Sequence, residues 1–360
     1  MFKDVLEHAE IVRWLRETDP SRLDQLWVHA DQVRQLHVGH QVHLRGLIEF
    51  SNHCVRLCGY CGLRAANDRL ERYRMTADEI LDCAHQAVAF GYGTVVLQSG
   101  EDPGSDADWI ADLVRRIKRE TPLAVTLSLG ERDRHEWAAW RDAGADRYLL
   151  RFETSNRQLY DRIHPPRGSR PSDRIAMLRA LRELGYEVGS GVMIGIPGQT
   201  YDDLARDIAL FGELDLDMVG VGPYLAHPAT PLADRQQHAE APPGEQVPNN
   251  ELMTYRVIAL TRLMCPAANI PATTALATLN RASGREHGLL RGANIVMPNL
   301  TPVKYRAMYE IYPEKACIAE TAEACSTCLE LRIRRLGREI GSGPGDSANY
   351  RKNRPAARGV

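Results

Sequence analysis

Three cysteines stand close together in the segment SNHCVRLCGYCGL. Cys54, Cys58 and Cys61 follow the spacing C-x3-C-x2-C, so their thiolates can surround one compact metal centre. Soft sulfur ligands select zinc or iron–sulfur clusters. Ordinary clusters take four cysteines, so three leave one iron without a protein ligand, and an open metal position can bind a substrate. The alternative is a zinc site of three cysteines and one histidine, with His53 as the fourth ligand.

A second triplet lies near the end of the chain and consists of Cys317, Cys325 and Cys328, with the spacing C-x7-C-x2-C. Clustered thiols in a reducing compartment favour metal binding over a disulfide framework. Three thiols without a ligand are the alternative. Cys83 and Cys265 stand alone, and we expect both to be buried thiols.

The chain has 360 residues, 44% of them hydrophobic and 26% charged, which excludes a wholly disordered or fibrous protein. Its net charge of −2 argues against nucleic acid or an anionic membrane as the main partner. No apolar run approaches the roughly 18 residues that span a bilayer, and the charged N-terminus is unlike a signal peptide. We therefore expect a cytoplasmic location. Five of the 45 basic residues are lysines and the rest arginines, which indicates a genomic coding bias.

Strand-like and helix-like runs alternate along most of the chain. Near-continuous apolar strands covered by helices indicate a parallel sheet, and eight such strands favour a closed (β/α)8 barrel of the TIM type over an open doubly wound sheet. The strands are predicted at 43–50, 94–98, 123–129, 146–152, 187–194, 217–221, 270–275 and 293–297. The helices are predicted at 4–17, 21–36, 76–92, 106–119, 132–143, 172–184, 200–214, 251–264 and 281–292.

This pattern divides the chain into four parts. Residues 1–40 form an N-terminal helical extension, residues 41–300 the α/β barrel, and residues 301–340 a C-terminal extension that carries the second triplet. The last twenty residues, 341–360, lack core-forming side chains, so we expect a mobile tail there.

The first triplet directly follows the first predicted strand, so it lies at the rim where barrel enzymes keep their chemistry. Other loops of that rim also carry polar residues. Gly100 allows close backbone approach, and Glu101 can accept a hydrogen bond from an ammonium group. Arg151 and Glu153 share the inward face of one strand, so they need a ligand or each other. Arg174 begins a helix, where the dipole disfavours a cation; a bound carboxylate or exposure to solvent would explain it.

The first triplet on a barrel's first loop resembles the motif of radical S-adenosylmethionine (SAM) enzymes. The resemblance implies a 4Fe-4S cluster whose free iron chelates the amino and carboxylate groups of SAM. One electron then breaks the S–C5′ bond, which gives methionine and a 5′-deoxyadenosyl radical. The residues that this resemblance places around SAM are Tyr60, Gly100, Glu101, Glu153, Arg174, Met193, Gly195 and Met218. Tyr60, Met193 and Met218 could instead be ordinary packing residues. Gly195 could instead belong to an ordinary strand-to-helix loop.

Longer stretches narrow the resemblance. The segments LERYRMTADEI, VLQSGEDP, GIPGQTYDDL, NIPATTALATLN and GANIVMPNLTP are similar to the HydE family of FeFe-hydrogenase maturases, over about residues 35 to 335. That family implies a role in building the two-iron subunit of the H-cluster from a small, cysteine-bound iron complex with carbonyl and cyanide ligands. It also implies a ferredoxin or flavodoxin as electron donor, other maturases as partners, and an accessory iron–sulfur cluster at Cys317, Cys325 and Cys328. The residues it places around the substrate are Ser99, Arg151, Thr273, Thr274, Tyr309 and Tyr312.

Two other functions stay open on the sequence alone. One is a radical SAM carbon-skeleton isomerase such as methylornithine synthase, which acts on an amino-acid-derived substrate and needs no accessory cluster. The other is a non-catalytic scaffold that binds zinc or a pre-formed cluster.

Overall fold

A computed structural model describes residues 6–168, 171–234 and 241–353. Its helices are α1 His8–Arg16, α2 Pro20–Val38, α3 Ala77–Ala89, α4 Ala107–Glu120, α5 Arg134–Asp142, α6 Arg157–Ile163, α7 Arg174–Glu183, α8 Tyr201–Glu213, α9 Glu251–Met264, α10 Thr274–Leu279, α11 Gly284–Leu289, α12 Val303–Arg306, α13 Ala322–Arg335 and α14 Ala348–Asn353. Its strands are β1 Gln41–Ser51, β2 Thr94–Ser99, β3 Ala124–Ser128, β4 Arg147–Leu149, β5 Glu187–Ser190, β6 Met193–Ile194, β7 Met218–Val219, β8 Gly222–Pro223, β9 Ile295–Val296 and β10 Glu339–Ile340.

The central sheet closes into a ring of parallel strands. The strands pair in the order β1, β2, β3, β4, β5 and β7, and β9 pairs with the free side of β1. Residues 269–272 fill the remaining place, because Asn269 bridges Met218 of β7 and Pro271 bridges Ile295 of β9. The predicted (β/α)8 barrel is therefore confirmed, and the open doubly wound sheet is excluded. At the C-terminal rim β6 and β8 form a separate parallel pair above β5 and β7.

Helix caps follow the signals in the sequence. Thr76 and Glu79 form the predicted capping box at the start of α3, in which the Thr76 Oγ1 accepts from the Glu79 N–H and the Glu79 carboxylate accepts from the Thr76 N–H. The buried faces of α3 and α4 pack against β1, β2 and β3, so the rim loops extend from a rigid scaffold. The N-terminal helices α1 and α2 pack against α8 and α9.

Several predicted strands are shorter in the structure, and two of them take a different course. The predicted strand at 270–275 ends early, because Thr273 caps α10 and residues 274–275 are helical. The predicted strand at 187–194 divides into β5 and β6 at Gly191, whose backbone lies so close to Gly220 that a Cβ atom there would be 1.8 Å from the Gly220 carbonyl oxygen. The short helix α6 was not predicted; its cap is Asn156, whose side chain accepts from the Leu159 N–H.

The expectation of a mobile tail from residue 341 onward is wrong for residues 341–353. This segment closes the N-terminal end of the barrel: the carbonyl oxygen of Pro344 accepts from Arg147 at 2.9 Å, and that of Gly345 accepts from Arg45 at 3.0 Å. Asp346 also pairs with Arg147, which is fully buried. The segment provides partners for buried charges instead of adding apolar area to the core. The low hydrophobicity of its sequence therefore did not indicate that it packs against the barrel. Residues 354–360 lie outside the described part of the chain.

Within the described ranges, no helix is both long and apolar enough to cross a membrane.

Candidate active site

A cavity of about 350 Å³ opens inside the C-terminal rim of the barrel. It brings together residues that are far apart in the sequence. Of those predicted to act in the site, the cavity wall includes Cys54, Cys58, Tyr60, Cys61, Ser99, Gly100, Glu101, Arg151, Glu153, Arg174, Met193, Met218, Thr273, Thr274, Tyr309 and Tyr312. Gly195 does not line the cavity; its N–H donates to the side chain of Gln199 at 2.7 Å and so supports the turn after β6.

The loop with the first triplet is fixed by backbone hydrogen bonds to several elements. The Gly59 N–H donates to the Ile163 carbonyl at 2.7 Å, and the Gly62 N–H donates to the Ile311 carbonyl at 3.0 Å. The Val55 N–H donates to the Glu101 carbonyl at 3.0 Å, which joins the loop to the end of β2. The cysteines are therefore held by the barrel, by α6 and by the C-terminal extension together.

Arg72 organises the same loop and was not predicted. Its guanidinium donates four hydrogen bonds to backbone carbonyls of the segment: to Asn52 at 2.6 Å, Leu63 at 2.8 Å, Arg64 at 2.8 Å and Asn67 at 3.2 Å. These carbonyls flank the triplet on both sides, so one side chain sets the path of the whole loop. The contacts join residues within a loop without regular structure, and no periodicity in the sequence signals them.

The three thiols of the first triplet require a cationic partner before they can ionise. Burial raises the pKa of Cys54, and burial together with the neighbouring Cys54 raises that of Cys61 to about 12. Among the described residues, no three cysteine sulfurs lie within 4.8 Å of one another, whereas Zn–S bonds of about 2.3 Å would put tetrahedral ligands roughly 4 Å apart. The wider spacing fits a cluster with several irons better than the alternative zinc site.

Arg151 and Glu153 line the cavity with polar atoms that no protein group satisfies. Their side chains form an ion pair at 3.2 Å, yet the geometry is not that of a hydrogen bond, so Glu153 Oε2 and Arg151 Nε have no hydrogen-bond partner. Glu153 is buried and has a φ of 63°, a strained value for a residue with a side chain. Simple mutual pairing therefore does not explain the two residues, and an ammonium or carboxylate group of a ligand would satisfy them.

Glu101 and Arg174 belong to a buried ionic network that contains two further residues. Arg56 pairs with both Glu101 and Glu131, and Arg174 donates to Glu131 Oε1 at 2.8 Å. Arg174 also donates to the Arg151 carbonyl at 2.7 Å, and it is buried, so the alternative of exposure to solvent is wrong. The sequence reasoning missed Arg56 and Glu131, although Arg56 lies between two cysteines of the triplet.

This network shifts the ionisation of its members. Burial opposes ionisation of Glu131, but the charge of Arg174 and hydrogen bonds from Ser172 and Arg174 outweigh it and lower the pKa to about 2. His164 lies beside the network, with its Nε2 3.8 Å from Glu131 Oε1, and burial and the charge of Arg174 lower the pKa of His164 to about 3. Since two guanidinium groups neutralise the two carboxylates, the network holds fixed charges at the cavity wall, which Arg56, Glu101 and Arg174 line, and needs no metal ion.

The rest of the wall comes from β2, β7, the segment around Thr273 and the C-terminal extension. Tyr309 is buried, and its hydroxyl accepts from the Gln98 side chain at 3.3 Å. Met218 also faces the cavity, although Arg45 donates to its sulfur at 2.9 Å. Thr273 both lines the cavity and caps α10. Aromatic, thioether and hydroxyl groups therefore enclose the space above the barrel core.

The second triplet lies outside the cavity wall. Cys317 has a φ of 65°, and both terminal nitrogens of Arg285 lie 3.6 Å from its sulfur. A hydrogen bond from Cys325 and the charge of Arg285 lower the pKa of Cys317 to about 5, whereas hydrogen bonding to Cys317 raises the pKa of Cys325. Cys328 is exposed. Arg285 thus favours the thiolate form of Cys317, and two further thiols lie on α13.

Comparison with known proteins agrees with this geometry. The model of the radical SAM superfamily matches residues 48–211. The FeFe-hydrogenase maturase subunit HydE of Thermotoga maritima is 45% identical over 94% of this chain and 95% of its own length. The chain belongs to the HydE family. Its cofactors are therefore a 4Fe-4S cluster and SAM, and both resemblances stated from the sequence are confirmed.

Other relatives of this HydE-family chain are more distant. The 3-methylornithine synthase of Methanosarcina acetivorans is 29% identical over 76% of this chain and 74% of its own length. Among solved structures, the methylornithine synthase PylB superposes with a TM-score of 0.76 at 26% identity and covers 94% of each chain. The maturase HydG superposes with a TM-score of 0.77 at 17% identity over 97% of this chain and 74% of its own, and that likeness shows the fold alone.

Proposed function

We propose that this chain is a radical SAM maturase that acts on a small, cysteine-bound iron complex with carbonyl and cyanide ligands during assembly of the H-cluster. Glu153 carries the proposal, because its buried carboxylate has an unsatisfied oxygen at the cavity wall beside the cysteine loop. The identity to HydE of Thermotoga maritima over nearly the whole chain supports the maturase assignment.

Separate groups of residues would hold the cluster and SAM. Cys54, Cys58 and Cys61 would hold the cluster, and Glu153 would receive the amino group of SAM. Arg151, which the resemblance places at the substrate, would receive the carboxylate group instead of Arg174, because Arg174 already donates to Glu131 and to the Arg151 carbonyl. The bound cluster and SAM together supply one electron and a carbon-centred radical. The fixed charges of the Arg56 and Arg174 network keep these ligating loops in place, because every charge in it has a partner.

An apolar group beside the cysteine loop would receive the adenine ring. Tyr60 packs against a buried cluster that consists of Leu159, Ile163, Met193, Ile196, Tyr224 and Leu232. Several elements meet there, and the Leu232 N–H donates to the Gly59 carbonyl at 3.1 Å. A flat, mostly apolar ring fits this surface. The predicted role of Tyr60 against adenine is thus compatible with its surroundings and remains a proposal.

The substrate would occupy the opposite part of the cavity. Tyr309, Tyr312, Thr273, Thr274 and Ser99 surround it. The volume of about 350 Å³ lies at the lower end of ligand pockets, which favours a small substrate over a macromolecule. An enclosed wall of aromatic and apolar side chains would exclude water from a radical reaction.

The remaining roles extend the same proposal. Cys317, Cys325 and Cys328 would bind an accessory iron–sulfur cluster, supported by the thiolate that Arg285 stabilises at Cys317. A ferredoxin or flavodoxin would supply the electron, and other hydrogenase maturases would deliver or receive the iron complex. We place this work in the cytoplasm, where such thiols stay reduced.

One assay tests the central step. The chain is reconstituted anaerobically with iron and sulfide, reduced, and mixed with SAM; 5′-deoxyadenosine and methionine are then quantified. We expect both products from the wild type and none from Cys58→Ala, because the cluster loses one of three anchors. Cys83→Ala, at a buried cysteine outside both triplets, is the matched control and should retain cleavage. A fully loaded cluster without products, with and without the iron complex, would contradict the proposal.

A further inference from the structure

Lys315 is a buried cation of the cavity that the proposed function does not use. It lies in the C-terminal extension, between Tyr312 and Cys317, and its side chain is 3% exposed. The other lysines of the described residues, Lys118, Lys304 and Lys352, are exposed. In a chain that carries arginine at almost every basic position, a single buried lysine at the cavity wall calls for a chemical reason.

The ammonium group is held in place from two sides. Its Nζ donates to Glu49 Oε1 near the end of β1, and the carbonyl oxygen of Tyr309 lies 3.5 Å away. Asn299 donates to the other oxygen of Glu49 at 2.9 Å, so the carboxylate is fully engaged. The ring of Tyr309 also faces the ammonium group, with its centre 5.0 Å from Nζ.

Stability alone does not explain this pair. Taking a lysine and a glutamate out of water is costly for each ion, and a well-packed apolar pair is often at least as stable. An arginine would place a planar fork on Glu49 and use two donors on one carboxylate. Lysine instead has three N–H donors on a compact group. Glu49 accepts from one of these N–H groups, and the Tyr309 carbonyl oxygen, 3.5 Å away, accepts from at most a second. One N–H donor therefore remains for a ligand in the cavity.

We propose that Lys315 binds an anionic hydrogen-bond acceptor of the substrate and so orients it in the cavity. The inference rests on the proposed function, since it assigns a contact of that substrate. Glu49 lies on β1 and pairs in register with Gln98 of β2, whereas Arg151 and Glu153 follow β4. Lys315 therefore lies on the β1 side of the cavity, and Arg151 and Glu153 lie on the β4 side, so Lys315 can hold a second ligand without engaging the two side chains that would receive the amino-acid end of SAM.

A halide soak tests the assignment directly. Crystals of the wild type are soaked in bromide, and anomalous scattering locates the ion. We expect bromide in hydrogen-bonding contact with Lys315 Nζ. The double variant Lys315→Met with Glu49→Gln removes both charges, so it leaves no buried ion unpaired and keeps the volume of the side chains; it should lose the ion. Lys304→Met, at an exposed lysine, is the matched control and should keep it.

Two results would overturn the assignment. One is the absence of bromide at Nζ in the wild type, and the other is bromide at the same position in the double variant. If either result is obtained while the wild type still produces 5′-deoxyadenosine, only the role of Lys315 is refuted, because SAM cleavage by the wild type is measured separately. A chain that binds bromide at Nζ but never cleaves SAM keeps the anion site and loses the proposed function instead.

Discussion

Gly100, in the loop after β2, packs directly against Cys54 of the first triplet. A Cβ atom at position 100 would lie 2.7 Å from the Cβ of Cys54 and 2.3 Å from the carbonyl oxygen of His53. The second contact is to backbone, so no side-chain rotation can relieve it. The absence of a side chain at this glycine therefore lets the loop after β2 and the cysteine loop approach each other.

The substitution Gly100→Ala should displace the cysteine loop without unfolding the barrel. We expect the iron content after reconstitution to fall by about half or more, and SAM cleavage to fall by about tenfold, since a shift of about 1 Å in a site can cost this much or more. Iron analysis and quantification of 5′-deoxyadenosine measure the two effects. Gly212→Ala is the control, because its Cβ would meet no heavy atom closer than 3.6 Å. Unchanged iron content in Gly100→Ala would refute this account of the glycine.

The four hydrogen bonds from Arg72 should stabilise the loop even before a cluster is bound. We expect Arg72→Ala to lower the free energy of unfolding of the metal-free chain by about 3 kcal/mol, since hydrogen bonds from a charged donor contribute more than neutral ones. Urea denaturation followed by circular dichroism measures it. The same variant should also take up less iron. Arg69→Ala changes an exposed arginine of the same loop and should alter neither quantity.

The pKa of Glu131 predicts a pH dependence of stability. Its ordinary value of 4.5 falls to about 2 in the folded chain, because Arg174 and its hydrogen bonds outweigh the effect of burial. A carboxylate whose pKa is lower in the folded chain than in the unfolded chain stabilises the fold at pH values above the unfolded pKa. This stabilisation is lost as the pH falls toward the pKa of the folded chain. Between about pH 6 and about pH 3 we expect the wild type to lose about 2 kcal/mol that Glu131→Gln does not lose.

Denaturant unfolding at a series of pH values measures this difference. Glu131→Gln should be less stable than the wild type near neutral pH, since it removes one of the two carboxylate partners of Arg56 and of Arg174 and leaves only Glu101. Its stability should change less on acidification. Glu213→Gln, at an exposed position of α8, serves as the control. Parallel curves for the wild type and Glu131→Gln would show that folding does not lower the pKa of Glu131.

The second triplet should bind iron independently of the first. We expect Cys325→Ala to lose the iron of the accessory site and to retain most SAM cleavage, because Cys317, Cys325 and Cys328 lie outside the cavity wall. Iron content, visible absorption and the yield of 5′-deoxyadenosine are compared with the wild type. Complete loss of cleavage in this variant, at normal occupancy of the first site, would contradict an accessory role.

Much of the barrel could be predicted from local patterns. The strands at β1, β2 and β3 and the helices α3, α4, α8 and α9 agree with their predicted positions to within about three residues. Their hydrophobic periodicity and their caps are properties of neighbouring residues, which is why they can be read without a structure. The predicted strands at 217–221 and 293–297 are reduced to the two-residue strands β7 and β9. Residues 269–272, at the seventh position of the ring, pair with their neighbours only through isolated bridges. Such pairings depend on closure of the ring, which the propensities of neighbouring residues do not predict.

The spacing of Cys54, Cys58 and Cys61 by itself determined that one loop could surround a metal centre, because ligands within eight residues need only one turn of chain, and its position after the first predicted strand placed it at the rim. The tertiary structure alone decided which charges surround that loop. Arg56 meets Glu131 across 75 residues and Lys315 meets Glu49 across 266 residues. Such contacts depend on barrel closure and on where the C-terminal extension lies, and both follow from packing of the whole chain instead of from any segment of it.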